Sequence, residues 1–111
     1  MCDYKILAHS QDGYVILCNS CGHYQLAYGT TAVTFEQEDF LNFCGEAAKL
    51  KTGTDCNGFE KQKRISLNIH SKCSMMILSY SELITLNDLL NEALFTFEME
   101  TMLEELKLIR G

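Results

Sequence analysis

The chain contains no proline, which removes cis-proline chemistry from consideration. No apolar run approaches the roughly 18 residues that cross a bilayer as a helix. The opening residues, Met1-Cys2-Asp3-Tyr4-Lys5, lack a basic stretch leading into an apolar block. No secretory signal is therefore expected, and the expected setting is the cytoplasm. Positive charge is scarce: nine Lys and Arg face fifteen Asp and Glu, a net charge of -6. That balance disfavours a dedicated nucleic-acid binder. There is no His-Glu-x-x-His or Glu-x-x-His pattern, and Gly29-Thr30-Thr31 is too short to be a phosphate-cradling loop. No catalytic residue and no cofactor-binding residue is assigned.

What is present is cysteine, six in all. In a secreted chain that number would read as a disulfide framework. Cytoplasmic thiols stay reduced, and a chain of 111 residues that is 47% apolar can build one core without staples.

Tyr4 to His9 and Tyr14 to Cys18 flank an Asp12-Gly13 turn and read as a β-hairpin. Tyr24 to Phe35 reads as a third strand, weakest at Gly29, where a bulge is expected. Thr34-Phe35-Glu36-Gln37 fits a capping box opening a first helix over 36–52, which buries Phe40, Phe43, Cys44 and Ala47. Residues 61–80 hold a strand pair, with Ile65, Leu67 and Ile69 alternating against Ser66, Asn68 and His70. Thr85-Leu86-Asn87-Asp88 opens the long helix, 85–109, with Leu90, Ala93, Leu94 and Phe97 as its buried stripe. Met102, Leu103, Leu106 and Ile109 extend that stripe, and the helix is long enough for its end to protrude. These elements predict a single α+β domain over 1–111: an antiparallel sheet of about five strands with both helices on one face.

The stretch Cys18-Asn19-Ser20-Cys21-Gly22-His23 carries the chemistry. Cys-x-x-Cys in a tight turn between strands can place two thiolates on one zinc ion, which takes four sulfur or imidazole ligands. No second Cys-x-x-Cys exists, so the other ligands must come from elsewhere. Strand pairing supplies one. With a four-residue turn Cys2 falls opposite Cys21, and with a two-residue turn it falls opposite His23. His23 is two residues beyond Cys21 and shares its side of the strand, provided Gly22 forms no bulge. His9 lies roughly 13 Å from Cys18 along the strand, too far for a shared ion. The candidate metal ligands are Cys2, Cys18, Cys21 and His23, with His70 a distant alternative. A redox pair would need a helix N-terminus after the motif, and none is expected there. An unligated Cys-Gly turn is the competing reading. Four protein ligands leave no open position, so such a zinc site is structural rather than catalytic. Cys44 reads as core, Cys56 as a loop residue, and Cys73 belongs to neither group. Asp39, Glu46 and His23 would form a second cluster only if the fold brought them together.

The segments "MC", "GYVILCNSCGHYQLAYGT", "FEQEDFLNF" and "ELITLNDLLNEALFTFE" together resemble a family of short proteins of unknown function from Bacteroidetes-type bacteria. The resemblance implies a bacterial, cytosolic protein and carries over no catalytic residue. It supports grouping Cys2 with Cys18 and Cys21. Tyr4 stands where relatives often carry histidine.

The expected function is a non-catalytic binding or interaction module with a structural zinc-type site, homo-oligomeric through the long C-terminal helix, with no membrane partner. One alternative is a nucleic-acid or anion binder working through the basic segment 49–72, which holds Lys49, Lys51, Lys61, Lys63, Arg64 and Lys72. The other is a small enzyme of unspecified reaction.

Overall fold

A computed structural model of the chain describes residues 3–53, 65–69 and 74–110, the last three as backbone. Cys2, Cys56, His70 and Cys73, and most of the basic segment, lie outside the described residues. Strands β1 (Tyr4–His9), β2 (Gly13–Cys18), β3 (Tyr24–Tyr28) and β4 (Thr31–Phe35) form an antiparallel meander in the order β1-β2-β3-β4. Helix α1 (Gln37–Gly53) follows. Strands β5 (Ile65–Ile69) and β6 (Ser74–Leu78) pair antiparallel as a second, separate sheet, and helix α2 (Tyr80–Arg110) ends the chain. The class is α+β, as expected from sequence. The strand count is six rather than about five, because the segment Tyr24–Phe35 folds back on itself. Gly29 adopts a left-handed φ of 60°, and Gly29-Thr30 becomes a two-residue hairpin loop below the pair Tyr28↔Thr31.

The first hairpin contains one irregularity. His9 faces Tyr14 and Ala8 faces Val15, but Ile6 faces Ile16, which leaves Leu7 as an extra residue in β1. This is a β-bulge. It lets Leu7 and Ala8, successive in sequence, both enter the core. Upstream of it Tyr4 faces Cys18, one residue off the uninterrupted pairing expected from sequence.

Both helices start away from their expected caps. Thr34 and Phe35 stay in β4, paired with Gln25 and Tyr24, so α1 opens after them, with the Phe40 N–H donating to the Glu36 carbonyl at 2.9 Å. Helix α2 begins five residues before Thr85. Ser79 and Glu82 form a reciprocal capping box there: the Glu82 N–H donates to Ser79 Oγ at 3.2 Å, and the Ser79 N–H donates to Glu82 Oε1 at 2.9 Å. The Thr85 hydroxyl donates to the Glu82 carbonyl within the helix at 3.0 Å.

The core lies on one face of the meander. Tyr24 of β3 stacks on Phe40 of α1, with ring centroids 4.7 Å apart, and meets Phe97 of α2 edge-on at 6.1 Å. One strand residue touching both helices puts both on the same side of the sheet. Val15, Leu26, Phe35, Leu67, Leu83, Leu86 and Leu90 fill the space between the layers. Helix α2 then outruns the fold. Its 31 residues span about 46 Å, whereas a six-residue strand spans about 20 Å. Residues 101–107 are therefore all exposed, and Met102, Leu103 and Leu106 do not extend the buried stripe as expected. The radius of gyration, 15.3 Å, exceeds the value of about 13 Å for a compact chain of this length.

Candidate metal centre

The loop between β2 and β3 is built from backbone outward. The Cys18 N–H donates to the His23 carbonyl at 2.9 Å, which closes the hairpin one step beyond the pair Leu17↔Tyr24. The Gly22 N–H donates back to the Cys18 carbonyl at 2.8 Å. That return requires a left-handed residue, and Gly22 supplies it with φ of 74°. Gly22 is thus the hinge of the turn and not a bulge in the following strand. The turn aims the Cys21 N–H at Cys18 Sγ, 3.5 Å away, and brings the two sulfurs to 2.9 Å. Cys18 is buried and Cys21 is exposed, so the pair presents one open side to solvent.

The chain enters this turn from a second direction. The Asn19 N–H donates to the Asp3 carbonyl at 2.8 Å, which fastens the start of β1 to the loop. His23 is exposed and stands across the hairpin from Cys18. Cys18 and Cys21 are therefore brought together. Among the described residues, no three His, Cys, Asp or Glu side chains gather as a ligand set, so the pair Cys18 and Cys21 stands without His23 drawn in beside it, and Asp39, Glu46 and His23 do not form a cluster. Cys2 and His70 lie outside the described residues. His9 sits at the far end of the hairpin, opposite Tyr14.

The remaining described cysteine is of a different kind. Cys44 is buried on α1, and burial pushes its thiol up to about 12. It stays protonated and behaves as a small apolar side chain. Two features of the turn escaped the sequence reading: the structural role of Gly22 and the contact from Asp3. Glycine directly after the second cysteine was the available signal for the first. The contact from Asp3 had none, because it depends on the bulge at Leu7.

A polar cleft of about 240 Å³ lies at the opposite end of the meander, lined by Asp12, Tyr28, Gly29, Ser81, Glu82 and Thr85. The Tyr28 hydroxyl is hydrogen-bonded to Thr85 Oγ1 and donates to the Glu82 carbonyl at 3.0 Å. Burial raises its pKa, with the Thr85 hydrogen bond pulling the other way. Tyr28 is accordingly a protonated strut between sheet and helix and is not set up as a base. Of the basic segment, the described Lys49 pairs with Glu46 at 3.6 Å. No helix among the described residues is long and apolar enough to cross a membrane.

No curated protein and no solved structure matches the chain. One family model does, described as Family of unknown function (DUF6686), and it spans residues 1–107. With nearly the whole sequence inside that match, the chain belongs to this family of unknown function.

Proposed function

We propose that the protein is a non-catalytic interaction module whose N-terminal strand is fastened by a structural zinc-type site made by Cys2, Cys18, Cys21 and His23, and whose partner surface is the protruding part of α2. The observation that carries the metal reading is the Cys18–Cys21 turn, with its sulfurs 2.9 Å apart and its amide directed at Cys18 Sγ. Thiolates sharing one tetrahedral zinc at ~2.3 Å stand about 3.8 Å apart. A modest rotation of the exposed Cys21 side chain opens the pair to that spacing.

Two further observations support the other ligands. Asp3 is held against Asn19 by a hydrogen bond, and Cys2 is the residue before it in sequence. His23 is the cross-strand neighbour of Cys18, and such pairs have Cβ atoms ~5 Å apart. Four protein ligands close the coordination sphere, which gives the metal a role in folding and none in turnover. Reduced thiols and bound zinc fit a cytoplasmic setting.

The test is elemental analysis of the purified chain after reconstitution with zinc, beside Cys18→Ser and Cys2→Ser. One zinc per wild-type chain, lost in both variants, is expected. Absence of zinc from the wild type, or its retention in Cys18→Ser, overturns the reading.

A further inference from the structure

The two sulfurs of the cysteine turn stand midway between two chemically defined separations. They are 2.9 Å apart. A disulfide bond holds sulfur atoms about 2.05 Å apart, and two thiolates on one zinc stand about 3.8 Å apart. Each of these is about 0.9 Å from the observed spacing, within reach of a side-chain rotation. The backbone of the turn is fixed on its own account, by the Gly22 N–H donating to the Cys18 carbonyl and the Cys18 N–H donating to the His23 carbonyl. The side chain with room to rotate is the exposed Cys21, because Cys18 is 3% exposed. No helix follows the turn directly, so the pair is not a thioredoxin-type catalyst. What the turn supplies is proximity, with one sulfur facing solvent and the other behind it.

We infer that Cys18 and Cys21 are a reversible dithiol–disulfide pair, oxidised by small disulfides of the glutathione type, and that the oxidised pair releases the metal. The bond rests on the turn alone; the release rests on the zinc reading above. The exposed Cys21 Sγ attacks one sulfur of the small disulfide, which forms a mixed disulfide and frees one small thiol. Cys18 Sγ, already beside Cys21 Sγ, then attacks that cysteine sulfur. The Cys18–Cys21 bond forms as the mixed disulfide breaks and the second small thiol leaves. Two cysteine thiols are oxidised, one small disulfide is reduced to two thiols, and the two cysteine protons pass to them. Burial sets the order: the exposed thiol meets the oxidant and the buried one resolves. The bond closes only the short loop through Asn19 and Ser20, so it takes little freedom from the unfolded chain. It is therefore suited to forming and breaking, and the fold does not need it as a staple. A reducing compartment keeps both sulfurs as metal donors, and an oxidant withdraws both from the metal at once.

Glutathione disulfide is the probe, applied to the full chain both metal-free and zinc-loaded. Remaining thiols are then alkylated and the peptides mapped by mass spectrometry. The wild type is expected to lose two alkylation sites, Cys18 and Cys21, joined in one bond, and to regain both with dithiothreitol. Cys18→Ser is expected to stop at a glutathione adduct on Cys21. Cys21→Ser is expected to form neither an adduct nor a bond at Cys18. Circular dichroism checks that both variants fold, and the wild-type map decides the matter without them. In the zinc-loaded chain each bond formed is expected to release one zinc to a chromogenic chelator. A lasting adduct on Cys21 of the wild type, or a bond from Cys21 to Cys2 or any other cysteine, overturns the pair. Zinc retained while the bond forms overturns the release. A chain that binds zinc but forms no bond once the zinc is chelated removes the disulfide and leaves the metal centre standing. A chain that binds no zinc yet forms the bond supports the disulfide and removes the metal reading.

Discussion

Asn87 of α2 reaches across to α1 and donates its Nδ2 to the Ala47 backbone carbonyl at 3.1 Å, while also donating to the Leu83 carbonyl of its own helix at 3.0 Å. It is a buried polar side chain in an otherwise apolar helix interface. Its replacement by leucine keeps the volume and leaves the Ala47 carbonyl without that donor. The expected cost is about 1–3 kcal/mol, read as a lower urea midpoint with an unchanged slope. Because apolar pairs alone permit several helix registers, Asn87→Leu is also expected to broaden the amide spectrum of α1 against α2.

Glycine substitutions at two sites should move stability in opposite directions. A Cβ on Gly13 would lie 1.9 Å from the Ala27 carbonyl oxygen, which is backbone of the neighbouring strand and cannot swing aside. Gly13→Ala must separate β2 from β3 at that point, and a loss of roughly 3 kcal/mol is expected. At Gly45, in the exposed face of α1, a Cβ meets nothing within 4 Å. Gly45→Ala should stabilise by about 0.5–1 kcal/mol through the lower flexibility of the unfolded chain. Thermal melts of the two variants against wild type check both signs.

Alkaline pH should weaken the fold through Cys44. Its folded pKa is raised from 9.0 to about 12 by burial. The unfolded chain therefore releases this proton first. The stabilisation is complete below pH 9 and is lost as pH rises toward the folded value. Within that window the loss is about 1.4 kcal/mol per pH unit at most. Burial also raises Tyr24 and Tyr28, which pull in the same direction at higher pH. Stability measured against pH should fall less steeply for Cys44→Ala than for wild type. Thiol labelling at neutral pH should modify the exposed Cys21 rapidly and Cys44 only on unfolding, and zinc should protect Cys21 but leave Cys44 unaffected.

The sequence made the layered α+β arrangement legible because burial follows period: Phe40, Phe43, Cys44 and Ala47 on one helix, and Tyr24, Leu26 and Tyr28 on one strand. Local hydrogen-bond competition was not legible. Thr34 has the side chain of a cap, but its backbone is claimed by the ladder to Gln25. Ser79-Tyr80-Ser81-Glu82 held the true box for α2, hidden because Thr85 three residues later offers a similar pattern and a following apolar run. The Cys18–Cys21 turn was legible because the spacing of the two cysteines and the glycine after them are sequence properties. The route by which β1 arrives at that turn depends on a bulge, and a bulge leaves little mark when every neighbour, Ile6, Leu7 and Ala8, is apolar. Met102, Leu103 and Leu106 read as an extension of the buried stripe, yet are exposed, for a related reason: periodicity reports an apolar face but not what covers it.

The bulge at Leu7 also decides which residues can speak to which layer. Without the bulge, an uninterrupted ladder running back from the pair Ala8↔Val15 would turn Leu7 outward and Ile6 inward under the helices and send Lys5 to the outer surface. With it, Lys5 points to the helix side and pairs with Glu100 of α2, while Tyr4 and Ile6 form the outer surface of the sheet. By placing Leu7 on the same face as Ala8, the bulge fixes the parity of everything upstream of it. Deleting Leu7 would remove the bulge and one buried side chain while leaving Ile6 opposite Ile16 and Lys5 on the helix side; straightening the ladder with Leu7 retained is what would exchange inside for outside along the approach to the cysteine turn and cut the electrostatic tie between the first strand and the last helix.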